Sequence, residues 1–293
     1  MSRERNEDFN LTLTRYTVER LLYRLTRSTH AEKFVLKGAM LIAVWMGRSH
    51  RPTRDVDLLG FGGATGQHLK QVFQQVCQTQ VADDGLVFEA DSIEVSEIRE
   101  GQAYPGERVK LTAKLGNARI RIQVDVGFGD VVTPKAVQIE YPVLLDFPAP
   151  RIRAYPKETV VAEKLQTMVL FGMVNSRMKD FYDLHTISRA FSFDGSTLVR
   201  AIRATFSRRG TKIPTEIPIA LSDESAYNPD KITQWKAFLS RNGLENTTVS
   251  FSLLVDELRA FLAQPLFAAA YDETFQQNWP AGGPWSNTLE AHK

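Results

Sequence analysis

The sequence predicts a bilobed α+β fold, with an N-terminal mixed β-sheet flanked by helices and a C-terminal helical lobe. In the first half of the 293-residue chain, several runs alternate between apolar and polar residues, as half-buried strands do. From residue 157 to residue 270 the apolar residues recur at helical spacing instead. We therefore expect a first domain over residues 1–150, a helical domain over 151–276, and a flexible Gly/Pro-rich tail over 277–293.

The N-terminal elements follow from local patterns. Residues 34–61 predict a short strand, a turn at Gly38, an apolar helix, a basic loop and a second strand that begins at Asp55. Apolar spacing predicts the flanking elements, which are helices over 11–28 and 68–80 and a strand over 87–98.

A hairpin is predicted farther along the same half. Two alternating runs, 109–115 and 118–126, flank Gly116-Asn117, a pair that favours a tight turn between two strands. With a two-residue turn, Arg108 faces Asp125 across the hairpin.

The C-terminal half begins after a proline-rich connection that carries Pro142, Pro148, Pro150 and Pro156. Beyond it, apolar spacing predicts five helices, over 158–171, 179–191, 195–208, 230–241 and 251–264.

The composition of the chain limits the classes of protein to which it can belong. With 43% hydrophobic residues the chain can bury a core. The sequence contains no run of 18 apolar residues, so no membrane span is predicted. The charged N-terminus lacks an apolar signal region, and a single cysteine excludes an internal disulfide, so we expect a cytoplasmic protein without membrane partners. Because the net charge is only +2, nucleic-acid binding would depend on local basic patches.

Three carboxylates are candidate metal ligands. Asp55 and Asp57 project from the same face of a strand, where they repel each other unless a cation lies between them. Asp125 lies on the polar face of the hairpin, and it joins them if the strands pair with their apolar faces on the same side. Three such carboxylates can hold the two Mg²⁺ or Mn²⁺ ions of phosphoryl-transfer chemistry. The alternative is a set of solvated acids at the rim of a sheet.

Two further positions suit a nucleotide. Gly38 opens a helix directly after a strand, and free backbone N–H groups at a helix start bind phosphate; an ordinary strand-to-helix turn needs glycine as often. Lys164 has mostly apolar helical neighbours, so burial of its charge is costly unless an anion lies nearby. The alternative is a lysine whose ammonium reaches solvent from the edge of the core.

Four short motifs follow one another along the chain. The first is Lys37-Gly38-Ala39. The others are Arg-x-Thr-x-Asp-x-Asp-Leu over 51–58, Ala-Glu-Lys-Leu over 162–165, and Arg-x-Lys-Asp-x-x-Asp-Leu over 177–184. Together they resemble the AbiEii/AbiGii toxin family, which includes MenT-type toxins and belongs to the DNA-polymerase-β-like nucleotidyltransferase superfamily. In the first motif, Ala39 replaces the family's usual glycine or serine, which removes a hydroxyl contact to phosphate.

The resemblance implies a role for each matching residue. Asp183 is expected to be structural, whereas Asp180 is the functional acid and pairs with Lys164. The implied catalytic residues are Asp55, Asp57, Lys164 and Asp180; the implied nucleotide-binding residues are Lys37, Gly38, Ala39, Arg54 and Lys164; and the implied metal ligands are Asp55, Asp57 and Asp125.

The implied activity is a metal-dependent transfer of NMP from an NTP to an acceptor, in a toxin–antitoxin or phage-defence (abortive-infection) system. By analogy the first acceptor is the 3′ end of tRNA, which would block translation, and the implied partner is a winged-helix, AbiEi-like antitoxin encoded next door. Two alternatives remain: nucleotidylation of a protein, and a degenerate enzyme that binds nucleotide or RNA without turnover. Basic residues that could contact an RNA backbone fall in three groups: Arg48, Arg51 and Arg54; Arg108, Lys110, Lys114, Arg119 and Arg121; and Arg200, Arg203, Arg208 and Arg209.

Overall fold

The computed structural model describes residues 8–47, 51–53, 55–62, 66–98, 106–245, 247 and 249–287. The chain divides into two compact units, one formed by Met1–Asp130 with Ala136–Tyr155 and the other by Val131–Lys135 with Pro156–Lys293. The mixture of sheet and helices confirms the predicted α+β class. No helix in the described ranges is long and apolar enough to cross a bilayer.

The first unit is built on a seven-stranded mixed sheet with the strand order β3-β4-β5-β2-β1-β7-β6. Strands β2 and β5 are parallel, as are β1 and β7, whereas the remaining neighbours are antiparallel. The strands are β1 (Phe34–Lys37), β2 (Asp55–Gly60), β3 (Leu86–Glu97), β4 (Gly106–Leu115), β5 (Ala118–Phe128), β6 (Val137–Glu140) and β7 (Arg151–Ala154).

Three helices accompany this sheet: α1 (Phe9–Arg27), α2 (Ala39–Met46) and α3 (Gly66–Cys77). The Asp8 side chain caps α1 by accepting a hydrogen bond from the Leu11 backbone N–H. Arg24 of α1 then donates to both carboxylate oxygens of the buried Asp84, at 2.6 and 2.9 Å. This charge-assisted pair fixes α1 to the segment that leads into β3.

The hairpin prediction is confirmed in detail. Leu115 pairs with Ala118 across the Gly116-Asn117 turn, and Arg108 pairs with Asp125. Because the period of a strand is two, this register leaves the apolar side chains of β4 and β5 buried together on one face. The proline-rich connection, in contrast, contributes β6 and β7, which sequence analysis did not predict.

The second unit is mainly helical. Its principal helices agree with the predictions within a few residues at each end, except that the last one extends past Pro265. The unit also contains a two-stranded sheet formed by β8 (Phe193–Asp194) and β9 (Asn278–Trp279). The helices are α4 (Lys157–Phe171), α5 (Met178–Ala190), α6 (Gly195–Arg208), α7 (Asp223–Ala226), α8 (Pro229–Arg241) and α9 (Phe251–Ala270).

The prediction of a flexible tail over 277–293 is wrong for residues 277–287, which contain β9 and the buried Trp279 and Trp285. Residues 288–293 lie outside the described ranges. Pro265 has no N–H for the Phe261 carbonyl four residues earlier, and the indole N–H of Trp285 donates to that carbonyl at 2.8 Å. The Trp279 indole likewise donates to the Ser188 carbonyl near the end of α5, at 2.7 Å. Both rings are buried, so composition alone misjudged this segment.

Candidate active site

Strand β2 presents the two acids of the Asp-x-Asp motif on one face. Val56 and Leu58 are fully buried on the opposite face, whereas Asp55 is exposed and Asp57 is half-buried. The alternation of the strand therefore places both carboxylates on the polar side of the sheet, as predicted.

Asp57 lies in a row of four charged residues that crosses four strands. It pairs in register with Asp125 on β5 and with Lys37 on β1, and Asp125 pairs with Arg108 on β4. Residues in register share a face, so all four side chains leave the same side of the sheet. Two adjacent carboxylates are thus flanked by a cation on each side, which offsets their mutual repulsion.

Asp125 is held by the outer cation of this row. The Arg108 guanidinium donates Nε–H to one carboxylate oxygen at 2.9 Å and Nη2–H to the other at 2.8 Å. This bidentate pair is the strong form of an arginine–carboxylate contact. Within the described ranges, no three or more His, Cys, Asp or Glu side chains are grouped so as to hold a metal ion.

Gly38 brings the backbone against the Asp57 carboxylate. Its φ of 78° and ψ of −163° belong to a region that essentially only glycine adopts. A Cβ atom at this position would lie 2.0 Å from Asp57 Oδ2. Glycine is therefore required twice here, by the turn that starts α2 and by the close approach of the acid.

Lys37 is fixed over the same face. Its ammonium donates to Asp130 at 2.8 Å and lies 5.7 Å from the centre of the Tyr155 ring. A Cβ atom on Gly127 would lie 3.3 Å from the ammonium, so the missing side chain leaves room for it. Sequence reasoning missed the contact of Lys37 with Asp130. The signal that could have indicated it is the glycine at position 127, which leaves space for the Lys37 ammonium.

In the second unit, Lys164 of α4 is the centre of a charge cluster. Its ammonium donates to Asp180 and to Asp183 of α5, each at 2.7 Å, and the Arg177 Nε–H donates to the other Asp180 oxygen at 2.7 Å. The predicted pairing of Lys164 with Asp180 is therefore present. Asp183, expected to be structural, shares the same lysine, and sequence reasoning assigned no contact to Arg177.

Burial makes this cluster electrostatically strong. The exposed fraction is 13% for the Lys164 side chain, 3% for Asp180 and zero for Asp183. Although burial disfavours the ammonium, the charges of Asp180 and Asp183 raise the pKa of Lys164 above its usual value. Burial likewise disfavours the Asp180 carboxylate, but Lys164 and Arg177 lower the pKa of Asp180 below its usual value. Lys164 and Asp180 are therefore both charged at neutral pH.

The loop before α5 is supported from α8. The buried Lys231 ammonium donates to the Asn175 carbonyl at 2.7 Å, and Asn175 Oδ1 accepts from the Arg177 backbone N–H at 2.9 Å. This chain of contacts fixes Arg177, which in turn holds Asp180. Lys231 was not singled out by sequence reasoning, because nothing near it in sequence marks its partner.

Two more residues, Ala39 and Arg54, are predicted to bind the nucleotide. Ala39 is the first residue of α2 and is buried. Arg54, predicted to bind nucleotide, and the basic Arg48 lie outside the described residues.

Comparison with known proteins finds a matching family model and two solved structures of similar fold. A model of the family described as nucleotidyl transferase AbiEii toxin, type IV toxin–antitoxin system, matches residues 20–273. A candidate nucleotidyltransferase from H. pylori has a TM-score of 0.52 and 13% identity, over 90% of this chain and 98% of that chain. JHP933 from Helicobacter pylori has a TM-score of 0.51 and 13% identity, over 90% and 95% respectively. These two likenesses show a shared fold. No curated protein sequence matched the chain.

Proposed function

Because this chain belongs to the AbiEii nucleotidyl transferase toxin family of type IV toxin–antitoxin systems, we propose that it transfers an NMP unit from an NTP to an RNA. The 3′ end of tRNA is the first candidate acceptor, and its modification would block translation. The observation that supports this proposal is the charged row of Lys37, Asp57, Asp125 and Arg108, with Gly38 packed against Asp57.

Asp55 and Asp57 fit a divalent cation by their chemistry. Both offer hard carboxylate oxygens on the polar face of β2, the ligands that Mg²⁺ and Mn²⁺ prefer. A bound cation would supply charge neutralisation at the transferring phosphoryl group. Asp125 is the proposed third ligand, and it can contribute only if it shares or exchanges the oxygens that now accept from Arg108.

The turn at Gly38 is the proposed phosphate-binding element. The Leu41 backbone N–H donates to the Gly38 carbonyl at 3.3 Å, so the N–H groups at the start of α2 that suit an anion are those of Ala39 and Met40. Lys37 adds positive charge on the same face of the sheet as Asp57, and Asp130 holds it in place. A triphosphate bound at this turn would lie beside the acids that the reaction requires. Arg54 remains a proposed nucleotide contact by resemblance.

Lys164 and Asp180 are the proposed catalytic pair of the second unit. A lysine that stays protonated can stabilise the negative charge that develops as pyrophosphate leaves. Asp180, held by Arg177 as well as by Lys164, would keep that ammonium in one orientation. Asp183 adds a second anchor on the same atom, so the lysine is positioned from two points of α5.

A type IV toxin implies an antitoxin. We propose that the partner is a winged-helix, AbiEi-like DNA-binding protein encoded beside this chain. Whether it contacts the toxin directly can be checked by co-purification of the two proteins.

The experiment that tests the activity uses each NTP in two labelled forms with Mg²⁺ and total RNA. Nucleotidyl transfer moves the label of an α-³²P-NTP into the RNA, and γ-³²P is released as pyrophosphate. Incorporation into RNA from the α position, abolished by EDTA, is the expected result. Label on protein alone would favour the protein-nucleotidylating alternative, and NTP binding without any incorporation would favour the degenerate one.

A further inference from the structure

The β4–β5 hairpin carries a row of cations that leads away from Asp125. In register, Lys110 pairs with Gln123, Thr112 with Arg121, and Lys114 with Arg119. All of these side chains share the face that carries the Arg108–Asp125 pair, because they are two residues apart along their strands. The row ends at the Gly116-Asn117 turn. We name its four cations, Lys110, Lys114, Arg119 and Arg121, the hairpin ladder.

The two faces of the hairpin differ completely. Val109, Leu111, Ile120 and Ile122 are buried on the apolar face. Helices α1 and α3 lie on that side, since the Arg24 guanidinium lies 4.8 Å from the centre of the Phe88 ring and Gly66 of α3 approaches Val95. The ladder therefore lies on the side of the sheet opposite to these helices.

Two of the four cations of the ladder already form ion pairs within the protein, although they share a single carboxylate. Lys114 and Arg119 both form ion pairs with Glu89 of β3. Lys110 and Arg121 are exposed and have no hydrogen-bond or ion-pair partner in the described ranges, even though Glu94 is in register with Lys110. Lys110 and Arg121 thus lie between the ion pair of Arg108 and the ion pairs of Glu89. This face of the hairpin therefore keeps a net positive charge.

The spacing of the ladder suits a linear polyanion. Alternate residues of an antiparallel strand lie about 6.8 Å apart. Lys110, opposite Gln123, is thus about 7 Å from Asp125 along the hairpin, and Arg121 is about 14 Å away. A single triphosphate bound at the Gly38 turn is too compact to use Arg121, whereas consecutive phosphates of a nucleic-acid strand present charges at comparable intervals.

We propose that the hairpin ladder is the docking surface for the sugar–phosphate backbone of the RNA acceptor, with Lys110 and Arg121 as the principal phosphate contacts. This inference rests on the proposed function, because it assumes that the acceptor is RNA. The backbone would follow β4 and β5 toward Asp125 and bring one end of the strand to the acids. Because such contacts involve phosphate only, the ladder binds RNA without regard to base sequence.

The test compares the double variant K110Q/R121Q with the matched control R27Q/K70Q. The control removes the same charge from exposed residues of α1 and α3, on the other side of the sheet. RNA binding is measured by fluorescence anisotropy with a labelled RNA hairpin that ends in a single-stranded 3′ tail, at salt concentrations from about 50 to 200 mM. Circular dichroism confirms that both variants are folded.

The slope of log K against log salt concentration is negative, and removal of two phosphate contacts should make it shallower by about 1.4–1.8. The weakening should be the same for RNA hairpins of different sequence, and the control should keep the wild-type slope. An unchanged slope in K110Q/R121Q would refute the proposal that the ladder binds RNA. An equal change of slope in R27Q/K70Q would refute it too. RNA-independent NTP binding should be the same in all three proteins.

A turnover measurement separates failure of the ladder from failure of the proposed function. In K110Q/R121Q the KM for RNA should rise while kcat and the KM for NTP stay at wild-type values. If wild-type protein binds RNA through the ladder but transfers no nucleotide to it, the docking surface stands and the proposed reaction fails. If wild-type protein labels RNA and K110Q/R121Q does so with an unchanged KM for RNA, the reaction stands and the ladder is refuted.

Discussion

The substitution G38A tests the contact between the strand-to-helix turn and the acid. In the native protein no side chain separates residue 38 from the Asp57 carboxylate. The new Cβ atom would lie 2.0 Å from Asp57 Oδ2, 2.7 Å from its Cγ and 2.8 Å from its Cβ. Rotation of the carboxylate alone does not relieve the clash, because the Asp57 Cβ atom is fixed by the backbone of β2.

The expected loss of activity in G38A follows from these distances. An ordinary van der Waals contact requires about 3.4 Å, so the carboxylate oxygen must retreat by about 1.4 Å. Displacement of a catalytic group by about 1 Å can cost about 100-fold in rate, equivalent to about 2.7 kcal/mol. The positive φ of 78° adds backbone strain of about 1–3 kcal/mol, which a typical domain tolerates without unfolding.

The matched control is G47A, at the other end of the same helix. Gly47 also has a positive φ, of 63°, but a Cβ atom there meets nothing within 4 Å. It should therefore lose about 1–2 kcal/mol of stability from strain and keep its activity within about twofold.

Both variants are assayed by urea unfolding and by transfer from α-³²P-NTP to RNA. Folded G38A with wild-type kcat/KM would refute the reasoning, as would an equal loss of activity in G47A.

Three further predictions concern the second unit. K164Q and D180A should each lower turnover by about 10²–10³-fold, and the double variant should be little worse, because the two side chains act as a unit; fully additive losses would show that they act independently. D180N should destabilise the protein by about 3–5 kcal/mol at neutral pH, since it breaks a buried ion pair. Because the pKa of Asp180 is lowered on folding, its contribution is present above the unfolded pKa and is lost as the pH falls through the folded value. The difference in unfolding free energy between D180N and wild type should therefore shrink below about pH 4 in urea titrations. Truncation after Gln276 removes the buried Trp279 and Trp285 and should cost at least about 3–5 kcal/mol, the range for one Trp→Ala change; an unchanged melting temperature would contradict the packing described for this segment.

The elements that the sequence predicted correctly are those fixed by local rules. The Gly116-Asn117 turn sets the register of its hairpin, so the pairing of Arg108 with Asp125 follows from the turn length alone. The face of Asp55 and Asp57 follows from the period of a strand. The placement of Lys164 beside Asp180 was predicted from resemblance together with the cost of burying a lysine.

The features that were missed depend on contacts between distant residues. Nothing in the sequence near Lys37 indicates that Asp130 will hold it, or that Lys231 will support the loop before Arg177. Gly38 was recognised as a turn, but its contact with Asp57 arises only when β1 and β2 pair.

The tail shows why composition misleads. Gly/Pro-rich segments usually lack regular structure, yet Trp285 of this segment satisfies the carbonyl that Pro265 leaves without a donor. A proline inside a helix and a Gly/Pro-rich segment are each unfavourable for regular structure alone. Neither of these two segments, taken by itself, indicates that they will pack together.

The most direct test of the central claim is the transfer of α-³²P-NMP to RNA by folded D55A, compared with wild type and with D146A. Asp55 is exposed on the polar face of β2, so its loss relieves like-charge repulsion and leaves the fold intact. Asp146 is an exposed aspartate of the same unit, outside the strands of the sheet, and serves as the matched control. Abolished transfer in D55A with full transfer in D146A is the predicted result, whereas wild-type transfer by folded D55A would contradict the assignment of this face as the active site.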